Sequence, residues 1–398
     1  MTNTGGTNRS GFGDAATASD PYPFYARLRS DDPVHWSEEA QAWFVTRYED
    51  VYELLMDQRL GARTASGSLE GLPPSARTDA RRVEQFLSRW LVFADPPYQA
   101  KARRMVAGAF SPSAVAELEG SLQEHAKAVV GRFADGGDLI AELSRPYALA
   151  VIGDVLGAVP EELADLSALA RVVMDYLGSR VDAEIAERAS AAIRALTSYV
   201  GDVVLPRAKG AVAGNLARSV RDGSLTVEEA AGVFTQLLTG GIEPVSVATA
   251  VCLVAVHGQP ETLRQVRSGA LSWESAIEEA LRYDPPFHFA PRRAREDFEF
   301  RGRHIRAGQR VALVLASANR DENRFAAPER FDATRGAHGH LAFGRGGHFC
   351  VGAVLARTGI RVLLRCLDER LPTFRPRVPA TRLPALGATV LDAVPAYV

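Results

Sequence analysis

Phe343-Gly344-Arg345-Gly346-Gly347-His348-Phe349-Cys350-Val351-Gly352 presents one cysteine from a glycine-rich loop directly ahead of an apolar helical pattern. A thiolate ligates a metal strongly only where its charge is tolerated. Backbone N–H groups in a tight loop at a helix N-terminus supply that tolerance. Gly344, Gly346 and Gly347 open backbone conformations closed to other residues, and Gly352 with Ala353 keeps the start of the helix slim enough to pass a flat macrocycle. Cys350 therefore reads as an axial ligand to haem iron. Two other readings stand beside it. Free cysteine is usually a small buried hydrophobe, as expected for Cys252 and Cys366 in their apolar runs. Zinc is the sharper rival, because His338, His340, His348 and Cys350 lie close together, although without the paired C-x-x-C or H-x-x-x-H spacing of structural zinc sites.

Composition narrows the class. Of 398 residues 46% are hydrophobic and 24% charged, with a formal net charge of -2. That balance excludes disorder and gives no support for a nucleic-acid partner. Three cysteines make no disulfide framework, and Met1 to Ser19 is polar rather than a basic, apolar signal sequence, so a cytoplasmic protein is expected. The apolar run from Gly232 to Gly258 carries Glu243 and Pro244 at its centre and has no basic flank; it reads as a buried core helix, not a membrane span. Lys101, Lys127 and Lys209 are the only lysines among 46 basic residues, a bias that fits a GC-rich bacterial genome.

No linker, repeat or low-complexity run divides the chain, so a single domain over 20–398 is expected behind a flexible segment over 1–19. From Pro21 to Leu281 the apolar spacing is mostly helical, broken at turns such as Asp95-Pro96-Pro97 and Asp135-Gly136-Gly137. Strand signals are few: Ala42 to Thr46, Phe298 to Phe300, Val311 to Leu315, and a terminal hairpin through Val390. The fold class is mainly α with a minor β portion.

The cysteine loop resembles the haem-binding signature of the cytochrome P450 family, F-G-x-G-x-H-x-C-x-G, at every fixed position. The resemblance runs from Pro21-Tyr22-Pro23 to the helix after Cys350 and implies a single-domain P450 fold around haem b, iron protoporphyrin IX. Glu279-Ala280-Leu281-Arg282, followed by Tyr283-Asp284-Pro285-Pro286 and by Pro328, Arg330, Phe331 and Asp332, looks like the family's E-x-x-R helix and P-x-R-F segment. By that resemblance Glu279, Arg282 and Arg330 form a buried charge cluster that fixes the cysteine loop. Phe343, Gly344, Gly346, His348 and Gly352 would then belong to the cofactor site. The stretch from Asp95 to Arg104 is similar to the family's D-P-P-x-H-x-x-x-R helix, which makes Arg103 a propionate ligand and puts Gln99 where histidine is usual. A neutral amide there donates a hydrogen bond but no charge. Arg292, followed by Arg293 and Arg295, is similar to the arginine of the family's central strand.

Leu237 to Val245 aligns with the helix that crosses the oxygen-binding face, where family members usually read A-G-x-E-T. Gly240 and Gly241 keep the small side chains that leave room, and Glu243 keeps the acid. Pro244 replaces the threonine whose hydroxyl helps deliver a proton. In a helix interior it lacks an N–H for the Gly240 carbonyl and its ring clashes with that group, at a cost of about 3 kcal/mol or more and with an expected kink. A water chain through Gly240 and Glu243, or a hydroxyl of the substrate, would then carry the proton. Thr239, on the face of Glu243, is the protein's own candidate, better placed than Ser246.

Substrate contacts are expected from Arg59 to Phe93, from Val172 to Leu205, from Phe287-His288-Phe289-Ala290 and from Leu386-Gly387-Ala388. Phe287 and Phe289 form an apolar wall, with His288 packed rather than catalytic. The resemblance implies a monomeric, ferredoxin-dependent monooxygenase that inserts one oxygen atom into an organic substrate of bacterial specialised metabolism. A ferredoxin and its reductase are expected as partners because no flavin or iron–sulfur motif is visible. Pro244 also leaves open an atypical oxidation (coupling, desaturation or peroxide-driven) or a non-catalytic haem or ligand-binding protein.

Overall fold

Ala42-Trp43-Phe44-Val45 forms strand β2 (Ala42–Val45), and all four residues are buried because both faces of its sheet are covered. In the computed structural model, which describes residues 15–62, 72–178, 181–336, 338–377, 380, 382, 383, 387–391 and 393–398, β2 pairs antiparallel with β1 (Val34–Ser37) and parallel with the strand Arg310–Val314. Beyond Arg310–Val314 the sheet continues through the strand Phe289–Ala294 to the edge strand Leu60–Ala62. Alternation sorts the side chains. Trp43, Val45, Val311 and Leu313 pack on one face with Tyr48, Val51 and Leu54. Ala42, Phe44, Ala312 and Val314 pack on the other with Phe24, Tyr25 and Leu28 of the helix Tyr22–Asp31. The expected strand over Val311 to Leu315 ends one residue early, since Leu315 begins a helical turn.

The chain is organised as two compact units, each gathered from separate stretches. This sheet dominates the first, which comprises Met1–Gly61, Val254–Gly346 and Arg377–Val394. The second, Ala62–Leu253, Gly347–Pro376 and Pro395–Val398, is mainly helical. Its helix Glu119–Arg132 buries Leu122, Ala126, Val129 and Val130 at helical spacing and packs on Ala353–Arg370, the helix that follows the cysteine. Tyr147 ties the helix Arg145–Leu156 to the same element by donating to the Gly359 carbonyl at 3.0 Å. The helix Val227–His257 has the length and apolarity of a membrane span, yet 56% of its most apolar window is buried inside the protein, as a core helix requires. Ala15–Ser19 is a helical turn; residues 1–14, most of the segment expected to be flexible, lie outside the described residues. The terminal hairpin is present as pairing of Arg382 with Leu391, with the Leu383 N–H donating to the Val390 carbonyl at 2.9 Å, and Ala388 pairs outward with Phe287.

Within the first unit the end of the helix Trp273–Tyr283 meets the chain's beginning and its C-terminal hairpin. Asp284 is buried and accepts hydrogen bonds from the Tyr22 hydroxyl at 2.8 Å and the Thr389 hydroxyl at 3.0 Å, and it pairs with Arg382. Burial alone pushes its carboxyl up. Arg382, His288, the Tyr22 hydroxyl and Arg320 outweigh burial and hold it below its ordinary value. A carboxylate depressed by folding contributes stability above its unfolded pKa and loses that contribution as pH falls through the folded value. Asp284→Asn should therefore cost about 3 kcal/mol at neutral pH, measured by urea unfolding, with the deficit shrinking in acid. A deficit constant down to low pH would contradict this origin.

Candidate active site

The site is built first by a buried ion pair. Glu279 and Arg282 have no exposed side-chain surface. Arg282 grips the carboxylate through Nε at 2.7 Å and Nη2 at 2.8 Å, and its remaining N–H groups donate to the carbonyls of Asn319 at 2.7 Å and Pro328 at 3.1 Å. Glu279 Oε1 also accepts from the Asp332 N–H at 2.8 Å and from Arg335 Nε at 3.3 Å. This corrects one expectation. Arg330 joins the cluster through its carbonyl, which accepts from Arg282 at 3.3 Å and from Arg335 at 3.1 Å, while its own side chain is exposed. The second arginine on Glu279 is Arg335. Asn319 extends the network, its Oδ1 accepting from Leu341 N–H at 2.6 Å, and the Leu341 carbonyl accepts from Gly344 at 2.8 Å. The cluster thus reaches the first residues of the cysteine loop.

Gly344 and Gly346 adopt φ of 67° and 72°, the left-handed region that favours glycine, and a Cβ on Gly346 would lie 2.6 Å from Met56 Sδ. Gly347 does not share that conformation, and space beside it is open. His348 ends the short turn Gly346–His348, two residues before Cys350. Gln99, on the helix Tyr98–Ala107, is buried and its amide donates to the Gly347 carbonyl at 2.7 Å. Instead of only replacing a cationic propionate donor, Gln99 braces the cysteine loop.

The Cys350 thiol is open to solvent on one side yet recessed among protein atoms. Burial pushes its pKa up, while the Gly352 N–H and the charges of Arg103 and Arg357 pull it down. Arg103 is lowered by its own burial and raised by Cys350, so the two groups feel each other. One thiolate with an N–H and two guanidinium groups around it suits an anionic axial ligand. At Gly352 an added Cβ would meet only Phe110, at 3.9 Å, leaving the helix start slim. The zinc reading fails on geometry. His340 is held by Glu278 at 3.1 Å and by the Ala342 N–H, and no His/Cys/Asp/Glu group among the described residues is arranged for a metal ion. Arg292 is 6% exposed on the strand Phe289–Ala294, whereas Arg293 and Arg295 are exposed and donate to the carbonyls of Gly308 and Gln58, which fixes the register of the expected strand arginine.

On the long helix the expected catalytic residues separate by environment. A Cβ at Gly240 would meet nothing within 4 Å, but at Gly241 it would lie 2.6 Å from Ile152 Cγ1. Gly240 supplies room, while Gly241 lets two helices approach. Thr239 donates to the Gln236 carbonyl at 3.0 Å, Ser246 to Ile242 at 2.6 Å and Thr249 to Val245 at 2.7 Å. Each hydroxyl proton is directed to the backbone. Glu243 is half exposed and pairs with Arg145 at 2.8 Å and Arg171 at 3.2 Å. The helix Val227–His257 continues through Pro244.

Only part of the expected substrate wall behaves as one. Phe287 is 49% exposed and pairs with Ala388, but His288 is 1% exposed, bonded to Tyr25 at 3.2 Å and Thr389 at 3.0 Å. Phe289 packs edge-on against Phe44 and Tyr25, and Ala290 packs against the sheet core. His288 and Phe289 are therefore framework. Leu386 and parts of the other two expected contact regions, residues 63–71 and 179–180, lie outside the described residues.

A recessed cysteine with an amide and two guanidinium groups about it, in a braced loop before a helix, suits the axial ligand of a haem-thiolate protein. A family model for cytochrome P450 matches residues 273–381. Over 91% of this chain and 90% of the relative, the sequence is 32% identical to cytochrome P450 107B1 of Saccharopolyspora erythraea. It is 34% identical to the cytochrome P450 monooxygenase PikC of Streptomyces venezuelae over 89% and 85%. The crystal structure of P450BioI in complex with hexadec-9Z-enoic acid ligated acyl carrier protein superposes with a TM-score of 0.87 at 25% identity, covering 97% of this chain and all of that one. The chain belongs to the cytochrome P450 family, a bacterial monooxygenase branch of it, with haem ligated by cysteine thiolate.

Two outcomes follow. Arg282→Ala should yield no folded, haem-loaded protein, because an uncompensated buried carboxylate costs about 3–5 kcal/mol; recovery of a holoprotein with a normal absorption spectrum would refute the cluster's role. In haem-stripped protein carrying Cys366→Ala, Arg103→Leu should move Cys350 alkylation to higher pH, since a raised thiol pKa loses one of its opposing charges. An unmoved profile would show that Arg103 does not act on the thiol.

Proposed function

We propose that the protein inserts one oxygen atom from dioxygen into a sizeable organic substrate of bacterial specialised metabolism. It works as a cytoplasmic monomer and takes electrons from a separate ferredoxin and ferredoxin reductase. Haem, when bound at Cys350, supplies the oxygen activation and transfer. Glu279, Arg282 and Arg335 hold the loop, Arg103 and Arg357 temper the thiolate charge, and Arg292 and His348 are the remaining candidates to hold the propionates. The relationship to PikC, itself a monooxygenase, supports the reaction class.

One observation shapes how protons reach the site. Pro244 has no hydroxyl, and the three nearest hydroxyls on the helix, at Thr239, Ser246 and Thr249, donate to backbone carbonyls. Proton delivery then falls to water beside the Gly240 carbonyl, to which Pro244 has no N–H to give, or to a substrate hydroxyl, with Glu243 in its arginine clamp as the solvent-facing acid. The same observation favours a second reading, an atypical oxidation (coupling, desaturation or peroxide-driven), of which the peroxide-driven form draws no net proton through the protein because hydrogen peroxide brings both of its own.

The carbon-monoxide difference spectrum of the reduced holoprotein should show the red-shifted Soret band of thiolate ligation, and its absence would defeat the assignment of Cys350. With a ferredoxin system, Pro244→Thr should change the ratio of peroxide released to product formed about twofold or more. An unchanged ratio would remove position 244 from proton delivery. Turnover by peroxide alone, without ferredoxin, would favour the second reading.

A further inference from the structure

Apart from the cysteine loop and the long helix, the second unit contains a cavity of about 210 Å³ among the helices Glu119–Arg132, Arg145–Leu156 and the start of Pro160–Gly178. None of its lining residues belongs to the haem-ligating machinery described above. Val129, Pro146, Ala150 and Leu163 make its walls apolar. Its polar groups gather at two points. At one, His125 Nε2 lies 2.8 Å from Asp154 Oδ2, and the Ser121 hydroxyl donates to the same carboxylate, so the acid is already engaged. At the other, Arg132 is exposed and has no carboxylate partner among the described residues. His125 and Arg132 are seven residues apart, which places them on one face of their helix, about 10 Å apart along its axis.

Volume and charge together define the ligand. The cavity exceeds the roughly 150 Å³ that admits benzene and falls below the roughly 300 Å³ at which drug-sized sites begin. One ring or a short branched chain fills it. The unpartnered guanidinium selects an anion with planar acceptor geometry, and the His125–Asp154 pair offers a second polar contact at the far end. We propose that this cavity binds a small aryl carboxylic acid, its carboxylate on Arg132 and its ring against Val129, Ala150 and Leu163.

The probe is 3-(4-hydroxyphenyl)propionate, titrated calorimetrically into the ferric holoenzyme with imidazole saturating the haem iron. Saturable binding is expected, with no change in the Soret band. Loss of a charge-assisted contact predicts about tenfold weaker binding in Arg132→Gln, a surface change that leaves the fold intact. Leu163→Trp, which fills the cavity, should abolish binding while haem content is retained. No saturable heat up to about 10 mM probe, the weak end of the affinity scale, would overturn the proposal. So would binding that imidazole displaces, or binding that Arg132→Gln leaves unchanged.

Discussion

A carboxylate and a guanidinium removed entirely from water must satisfy each other, and this requirement at Glu279 and Arg282 organises the first unit around them. Neither charge is tolerable alone in the interior, so every remaining donor and acceptor on the pair recruits a partner. The partners are mostly main-chain groups, at Asn319, Pro328, Arg330 and Asp332. Because a side chain that binds carbonyls fixes backbone and not merely neighbouring side chains, the pair dictates the path of an otherwise irregular segment. That segment leads into Leu341 and Gly344, and the loop that presents Cys350 begins there.

The thiolate experiences opposing influences. Enclosure favours the neutral thiol, while an amide and two guanidinium groups favour the anion. An iron ligand needs both. Recession among protein atoms limits approach to the sulfur to its one open side, and the positive groups stabilise the anion there. Gln99 adds the mechanical part by holding the Gly347 carbonyl, so the loop has contacts on its main chain as well as on its sulfur.

Much of this was legible in the sequence, for definable reasons. The loop could be read because its chemistry demands unusual residues at fixed spacing: glycine where φ is positive, and cysteine where a helix begins. The sheet strands over Ala42 to Val45 and Val311 to Val314 were legible as apolar runs. Arg330 was misjudged because a motif names residue types, whereas the turn presents that residue's carbonyl and leaves Arg335 to reach Glu279. His288 is packed, as its sequence context suggested, whereas Phe289 was misjudged as wall because an apolar ring in an extended segment reads the same whether it faces a ligand or packs on Phe44 and Tyr25. The Asp284 network escaped notice because its partners are distant in sequence, with Tyr22 removed by 262 positions and Arg382 by 98. No local pattern encodes such meetings, although Tyr22 and Asp284 each stand in a recognisable proline-flanked motif.

Gly240 and Gly241 differ in what they permit an evolving or engineered lineage to do. At Gly240 an added methyl group meets nothing within 4 Å, so a first enlargement leaves the helix where it is. At Gly241 the first added carbon meets Ile152, and the helix Arg145–Leu156 must move before anything is gained. Side-chain volume can therefore be added at one glycine, whereas its neighbour is closed to gradual change unless Ile152 shrinks first.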